Sequence, residues 1–133
     1  MPDSRLKLNL PMPGVDLEAT RLRVRDWVAP YGLAERTLFG IEIALEEWLT
    51  NVRRHGAHHV ELEVAVTADD VQLTIEDDGP PFNPLTAPPP PRPGSLEASR
   101  PGGLGLAMIK HVSRNWAYER CGLLNRLHVA VAR

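Results

Sequence analysis

The chain has a single cysteine, Cys121, among its 133 residues. One thiol cannot form an internal disulfide framework, and it cannot supply the several thiolates of a structural zinc site. No segment approaches the roughly 20 consecutive apolar residues of a membrane-spanning helix, and the N-terminus lacks the apolar core of a signal peptide. We therefore expect a protein that works in the reducing cytoplasm.

The chain also lacks a strong net charge, because 15 Lys and Arg residues are balanced by 17 Asp and Glu residues. A basic field that would bind nucleic acid is absent, and so is a polybasic run for a membrane surface. We expect neither of these as the main partner. A length of 133 residues suits one domain with one hydrophobic core, so we interpret 1–133 as a single domain.

Hydrophobic periodicity predicts the elements of this domain. Strands are predicted at 6–10, 60–66, 71–77, 116–120 and 124–131, most of which alternate apolar with polar residues. Helices are predicted after Asp16, over a segment that ends near Gly56, and after Gly105. The predicted fold class is α+β, a two-layer α/β sandwich with the helices on one face of a mainly antiparallel, mixed sheet.

The second predicted helix carries a polar line beside its apolar stripe. At roughly 100° per residue, Glu47, Asn51 and His55 follow one another at i, i+4 and i+8 along the border of that stripe. An unpaired buried polar group costs about 1–3 kcal/mol, so these side chains need partners. A hydrated cation with phosphate would satisfy all three, and hydrogen bonds within the protein are the alternative.

Asp77 raises the same question on the sheet. It lies in phase with Leu73 and Ile75, so a regular strand would turn its carboxylate toward the buried face. A buried carboxylate is costly unless a hydrogen-bond donor satisfies it. We therefore expect a donor beside Asp77.

Proline is concentrated in one segment, because nine of the 13 prolines lie between Pro80 and Pro101. Such a segment forms neither a helix nor a central strand. A loop of this length inside a compact domain is uncommon unless it is functional or disordered. Since it lies between two glycine-bearing segments, we interpret about 80–102 as a lid, with a docking motif for an aromatic groove as the alternative.

The second glycine-bearing segment, Gly102-Gly103-Leu104-Gly105, opens the third predicted helix. Glycines at a helix N-terminus let backbone N–H groups approach an anion, and the helix dipole favours phosphate there. Alone this pattern is weak, because glycines that precede a helix are often only turn residues.

Three ordered segments resemble the motifs of one ATPase fold. Glu47-xxx-Asn51-xxx-His55 is similar to its N box, Asp77-Asp78-Gly79-Pro80-Pro81-Phe82 to its first glycine box, and Gly103-Leu104-Gly105-Leu106 to its second. Gyrase, histidine kinases and mismatch-repair ATPases share this Bergerat-type, or GHKL, fold. The run Gly79-Pro80-Pro81-Phe82-Asn83-Pro84, the lead-in Ala44-Leu45-Glu46-Glu47 and the ending Tyr118-Glu119-Arg120 with Asn125-Arg126-Leu127 look like the stand-alone anti-sigma-factor serine/threonine kinases.

The resemblance implies ATP and Mg²⁺ as cofactors. It makes Asn51 the Mg²⁺ ligand, and it makes Glu47 the general base that activates an acceptor hydroxyl or a water. Asp77 would accept the adenine amino proton, and Gly79 would let the backbone pass close to the base.

Further positions implied by the resemblance surround the phosphates. Gly103 and Gly105 would hold phosphate at the start of the third helix. His55 would support the site. Arg100 would either contact phosphate or remain a solvated lid residue, and we favour the second interpretation. The other binding positions are Phe82, Leu104 and Leu106.

The resembled family phosphorylates a serine or threonine of a small antagonist protein, which competes with a sigma factor for the kinase. We therefore expect an anti-sigma regulatory kinase that acts in transcription regulation, and the family tends to form homodimers. The rival is an ATP-binding module that sequesters a partner without phosphate transfer. Glu47 favours the kinase, because a module that only holds ATP has no need of a carboxylate four residues before the Mg²⁺ ligand.

The lid hypothesis predicts a nucleotide-dependent cleavage pattern. Residues 86–100 offer few apolar side chains for burial, so limited proteolysis should cut there first. Addition of Mg²⁺ and ATP should slow this cleavage, as followed by mass spectrometry of the fragments. Identical cutting with and without nucleotide would contradict a lid that closes over phosphate.

Overall fold

The computed structural model describes residues 5–86 and 105–133. Its strands are β1 (Arg5–Pro11), β2 (His59–Val66), β3 (Asp70–Asp77), β4 (Asn115–Cys121) and β5 (Leu124–Ala132), and its helices are α1 (Leu17–Val28), α2 (Glu35–Arg54) and α3 (Gly105–Val112). This order confirms the predicted α+β class. Most of the predicted lid, with Arg100, and the positions Gly103 and Leu104 of the second glycine box lie outside the described residues.

The five strands form one sheet in the order β1-β2-β3-β5-β4, and all four pairings are antiparallel. Burial alternates along β1, β2, β3 and β5, as the period-2 pattern predicts for a sheet with one covered face. The buried residues of the strands share one hydrophobic core with those of the helices. Among the largest of them are Leu62, Leu73, Ile75 and Leu127 from the sheet, Ile41, Leu45, Trp48 and Leu49 from α2, and Ile109 from α3.

At one end of the sheet the inward-facing row changes from apolar to polar. The register places Val60 of β2 opposite Asp77 of β3, and Asp77 opposite Asn125 of β5. Asn125 is in turn paired with Arg120 of β4. Directly opposed residues of antiparallel strands lie about 4.5–5.5 Å apart, so the register brings three polar side chains together beside the core.

Local signals fix the helix ends where the sequence predicts them. The Asp16 side chain accepts a hydrogen bond from the Ala19 N–H at 3.0 Å and thereby caps α1. Gly56 adopts a φ of +88° just after α2, a left-handed conformation that residues with a Cβ disfavour. Within the described ranges, no helix combines the length and the apolar character that crossing a membrane requires.

Gly40 sets how closely α2 approaches its neighbours. A Cβ added at this position would lie 2.8 Å from Cγ1 of Val131 in β5 and 3.6 Å from Cβ of Val112 in α3. Nearby, the Thr37 hydroxyl donates a hydrogen bond to the Ala132 carbonyl at 2.9 Å. The N-terminal half of α2 is therefore held tightly against β5 and α3.

Gly40→Ala should destabilise the protein, although alanine favours a helix over glycine by about 1 kcal/mol. Val131 is β-branched and stiff, and overpacking of this kind typically costs about 1–3 kcal/mol. Urea denaturation should show a lower free energy of unfolding, and Val131→Ala in the same chain should restore part of it. Gly14→Ala is the control, because a Cβ there meets nothing within 4 Å. A Gly40→Ala protein as stable as the parent would contradict this packing.

Candidate functional site

The polar line of α2 points partly inward, as its helical phase predicts. Asn51 is only 3% exposed, and Glu47 and His55 are partly buried. Neither Nδ2 of Asn51 nor Nε2 of His55 has a hydrogen-bond partner, although both atoms are buried. Internal hydrogen bonds, the alternative interpretation of this line, therefore do not account for these two atoms.

The carboxylate of Asp77 is also buried, with 3% of the residue exposed. Its Oδ1 accepts hydrogen bonds from the Gly79 N–H at 2.9 Å and from Nδ2 of Asn125 at 3.0 Å, whereas its Oδ2 is buried without a partner. Burial raises the pKa of Asp77, although the hydrogen bonds from Asn125 and Gly79 act in the opposite direction. Oδ1 of the carboxylate is therefore satisfied by hydrogen bonds within the protein, and Oδ2 is left as a possible acceptor for a ligand.

Gly79 is required by the close approach of the backbone to this carboxylate. A Cβ at Gly79 would lie 2.9 Å from Oδ1 of Asp77 and 3.5 Å from Cβ of Ala57. Any larger residue would therefore displace the acceptor that its own N–H group contacts. The role of Gly79 in letting the backbone pass close to an adenine base stays a prediction. The contact with Asp77 is a second reason why this position requires glycine.

Asn125 is the central functional residue to which sequence reasoning assigned no role. Its Nδ2 donates to Oδ1 of Asp77, to the Gly79 carbonyl at 3.3 Å and to the Pro80 carbonyl at 2.9 Å. The residue is 2% exposed. A signal was present, because Asn125 has the same strand phase as Leu127 and Val129 and must therefore point inward.

Asp78 has a different environment from its neighbour Asp77. Its Oδ1 accepts hydrogen bonds from the backbone N–H groups of His58 at 2.8 Å and His59 at 3.0 Å. These bonds, that of His59 above all, lower the pKa of Asp78. The start of the first glycine box is thereby tied to the loop that follows α2.

Aromatic contacts join the end of α2 to the first glycine box. The rings of His55 and Phe82 are stacked with their centroids 4.4 Å apart, and the Trp48 ring lies 6.2 Å from that of Phe82. Burial and the charge of Arg54 lower the pKa of His55, while Asp77 acts in the opposite direction. His55 is therefore a mainly neutral imidazole at pH 7.

A small cavity lies where α2, the turn after β3 and Asn125 meet, and four of the residues that line it each carry a buried polar atom without a partner. It is lined by Trp48, Asn51, Val52, His55, Asp77, Pro80, Phe82 and Asn125. The unsatisfied atoms are Nε1 of Trp48, Nδ2 of Asn51, Nε2 of His55 and Oδ2 of Asp77. Buried polar atoms without partners are rare in native proteins, so this set indicates a place for polar partners. The cavity of about 10 Å³ holds no more than about one water, so a nucleotide base would enter only after Phe82 or Pro80 moved.

Glu47 lies one helical turn before Asn51. Burial raises the pKa of Glu47, and the neighbouring charge of Glu46 adds to the effect. A carboxyl group with a raised pKa is suited to accept a proton near neutral pH. Among residues 5–86 and 105–133, no ion-pair partner neutralises this carboxylate.

Of the segment that the sequence predicts to hold phosphate, the structure describes only the start of α3. Gly105 is the first residue of α3, and Leu106 follows it in the first turn. No group of three or more His, Cys, Asp or Glu side chains that could hold a metal occurs in the described part of the chain. A cation at Asn51 would thus need most of its ligands from phosphate and water, which is usual for Mg²⁺.

Comparison with known proteins identifies the class to which this site belongs. The family described as the histidine kinase-like ATPase domain matches residues 13–130. The chain belongs to this family, which confirms the resemblance seen in the three motifs. Membership implies that ATP is the nucleotide bound.

Individual relatives show how far the likeness extends. The chain is 31% identical over 90 residues to the serine/threonine-protein kinase BtrW of Bordetella bronchiseptica, a match that covers 64% of this chain and 63% of the relative. The crystal structure of the RsbU and RsbW domains of Rv1364c from Mycobacterium tuberculosis superposes with a TM-score of 0.68. That match covers 97% of this chain and 33% of the other at 16% identity, so it shows the fold alone.

Asp77→Asn should stabilise the protein while removing its preference for adenine. Because burial raises the pKa of Asp77, the folded protein holds this proton more tightly than the unfolded chain, and the free energy of unfolding falls as pH rises through the folded-state pKa. Removal of this buried charge should add about 0.5–2 kcal/mol at pH 7. Calorimetric titration should show that ATP no longer outcompetes GTP.

The parent protein at mildly acidic pH is the control for this prediction, because the stability difference between parent and variant should shrink there. An Asp77→Asn protein that is less stable at pH 7 yet still prefers ATP over GTP would contradict both parts.

Proposed function

We propose that this protein is an ATP-dependent serine/threonine protein kinase that acts as an anti-sigma regulatory factor and phosphorylates a small antagonist protein. The observation that carries the proposal is the position of Glu47. It is a partly buried carboxylate with a raised pKa, it has no ion-pair partner among the described residues, and it lies one turn from Asn51. A protein that only held ATP would not need this group.

The line of polar residues along α2 has the order that such a reaction requires. Asp77, His55 and Phe82 lie at the end of the line where the base would be read. Asn51 is one turn further along, and Glu47 one turn beyond it. Eight residues of α-helix span about 12 Å, so the base end and the carboxylate of Glu47 are well separated.

Each residue of the line has a distinct task in this proposal. ATP with Mg²⁺ supplies the phosphoryl group and neutralises its charge. Asp77 accepts a hydrogen bond from the base through Oδ2, which has no partner within the protein. Asn51 would offer its side-chain oxygen to the cation. Glu47 takes the proton of the acceptor hydroxyl. Phosphoryl transfer depends mainly on positioning and electrostatic stabilisation, so these few groups suffice on the described side of the site.

The name of one relative supports the proposed activity, because it is called a serine/threonine-protein kinase. The partners rest on the resemblance of the three motifs to the anti-sigma-factor kinases. We propose as the acceptor a serine or threonine hydroxyl of a small antagonist protein, which competes with a sigma factor for this kinase in the cytoplasm. Formation of a homodimer belongs to the same proposal.

A second candidate function is an ATP-binding module that sequesters a partner without transferring phosphate. One observation favours this module: no residue of the described ranges donates a hydrogen bond that would orient the carboxylate of Glu47. A general base usually requires such an orienting group or the substrate itself. The two functions differ in what the carboxylate does, so a change of that carboxylate separates them.

Glu47→Gln should spare the affinity for ATP and lower the rate of phosphate transfer. The amide keeps the size of the side chain but cannot accept the proton, and general-base catalysis typically contributes about 10²- to 10⁴-fold. The measurement is transfer of radiolabelled phosphate from ATP to a small antagonist protein encoded beside this chain, with ATP affinity measured by calorimetry.

Glu46→Gln is the matched control, because Glu46 is the adjacent residue on the exposed face of α2. It should leave binding unchanged and transfer near the parent rate, because burial, the larger cause of the raised pKa of Glu47, remains when the charge of Glu46 is removed. A parent protein that binds ATP with Mg²⁺ but transfers nothing to its antagonist, with Glu47→Gln behaving identically, would replace the kinase with the sequestering module.

A further inference from the structure

Arg120 of β4 lies opposite Asn125 of β5 and contacts the part of the site where Asp77 would bind the base. Its Nη1 donates hydrogen bonds to the Gly79 carbonyl at 3.1 Å and to Oδ1 of Asn125 at 3.2 Å. Its Nε donates to the Gly122 carbonyl at 3.2 Å, which fixes the guanidinium against the β4–β5 turn. One arginine therefore contacts both the first glycine box and the amide that holds Asp77.

The surroundings of the Asn125 amide permit only one orientation. Its Oδ1 faces three donors, which are the Tyr118 hydroxyl, the Phe82 N–H and Nη1 of Arg120. Its Nδ2 faces acceptors only, namely Asp77 and the carbonyls of Gly79 and Pro80. A reversed amide would place its NH₂ group against two groups that can only donate, the Phe82 N–H and Nη1 of Arg120, and its oxygen against three acceptors, so the network itself determines the orientation.

This orientation determines what Asp77 can offer to a ligand. Oδ1 of Asp77 already accepts from the Gly79 N–H and from Nδ2 of Asn125, so no room remains on it for a proton. The carboxylate is thus presented through Oδ2 alone, the buried atom without a partner. An ionised oxygen there accepts from an amino group and repels a carbonyl oxygen, which is a strong basis for discrimination in a buried site.

The positive charge of Arg120 favours the ionised form of Asp77. The hydrogen bonds of Arg120 favour the same form, because they orient the Asn125 amide that donates to this carboxylate. Burial raises the pKa of Asp77 and the neighbouring charge of Asp78 adds to this, while the positive charge of Arg120 opposes both. The effect of this positive charge on the carboxylate is smaller than those of the hydrogen bonds from Asn125 and Gly79.

The geometry points to Arg120 as a positioning residue that sets base specificity: it orients the Asn125 amide and the Gly79 carbonyl so that Asp77 presents an accepting oxygen to the 6-amino group of a purine. The inference rests on the proposed function, in which ATP is the nucleotide bound. Arg120 itself does not need to touch the nucleotide for this role.

The test compares Arg120→Ala with the parent protein in calorimetric titrations with ATP and with inosine triphosphate, both with Mg²⁺. Inosine triphosphate carries a carbonyl at the 6-position in place of the amino group and otherwise matches ATP, apart from the associated N1 proton. Arg120→Ala should weaken ATP binding by about tenfold, the equivalent of one lost hydrogen bond, and leave the weaker inosine triphosphate affinity nearly unchanged.

Arg126→Ala is the matched control on the same hairpin. Arg126 follows Asn125 directly but faces the other side of the sheet, where it pairs with Glu76 at 2.7 Å and Glu119 at 3.0 Å. Its removal should leave the ratio of the two affinities unchanged. Arg120→Lys keeps the charge without the guanidinium fork, so it should restore part of the ratio that Arg120→Ala loses.

The outcomes separate this inference from the function on which it rests. An Arg120→Ala protein that weakens both nucleotides equally, or neither, overturns the positioning role. A parent protein that binds both nucleotides equally well overturns it too and leaves nucleotide binding intact. A parent protein that binds neither overturns the proposed function as well. If Arg120→Ala does not fold, Arg120→Lys decides, and an unchanged affinity ratio in that variant overturns the inference.

Discussion

The burial of one carboxylate, that of Asp77, is the constraint on which the geometry of the site depends. A charged group at the edge of a hydrophobic core is tolerated only if donors converge on it. Here the donors come from the turn that follows β3, through Gly79, and from β5, through Asn125. The correct register of the sheet and the tight glycine turn are therefore both conditions for a carboxylate with one satisfied and one available oxygen.

Local periodicity predicted much of this arrangement, because the direction of a side chain in a strand or helix follows from its position along the element. The inward carboxylate of Asp77 follows from strand phase, and the line from Glu47 to His55 follows from helical phase. Both directions were confirmed, as was the order of the strands and helices. Their roles toward ATP and Mg²⁺ stay predictions.

The partners of these side chains could not be predicted in the same way. Asn125 lies 48 residues after Asp77, so their hydrogen bond depends on the pairing of β3 with β5 and not on any local pattern. The stack of His55 on Phe82 likewise joins two motifs that are far apart in the chain. The expected phosphate contacts of Gly103 remain a prediction based on resemblance, because that residue lies outside the described ranges.

Two adjacent aspartates, Asp77 at the end of β3 and Asp78 just after it, have pKa values that are shifted in opposite directions. Burial moves the pKa of Asp77 upward, whereas the backbone donors around Asp78 move its pKa downward. As the pH falls, Asp77 is neutralised first, while Asp78 still anchors the loop that follows α2. Acid therefore acts on the proposed base-reading group before it reaches this anchor, so the two neighbouring carboxylates lose their charge in separate steps.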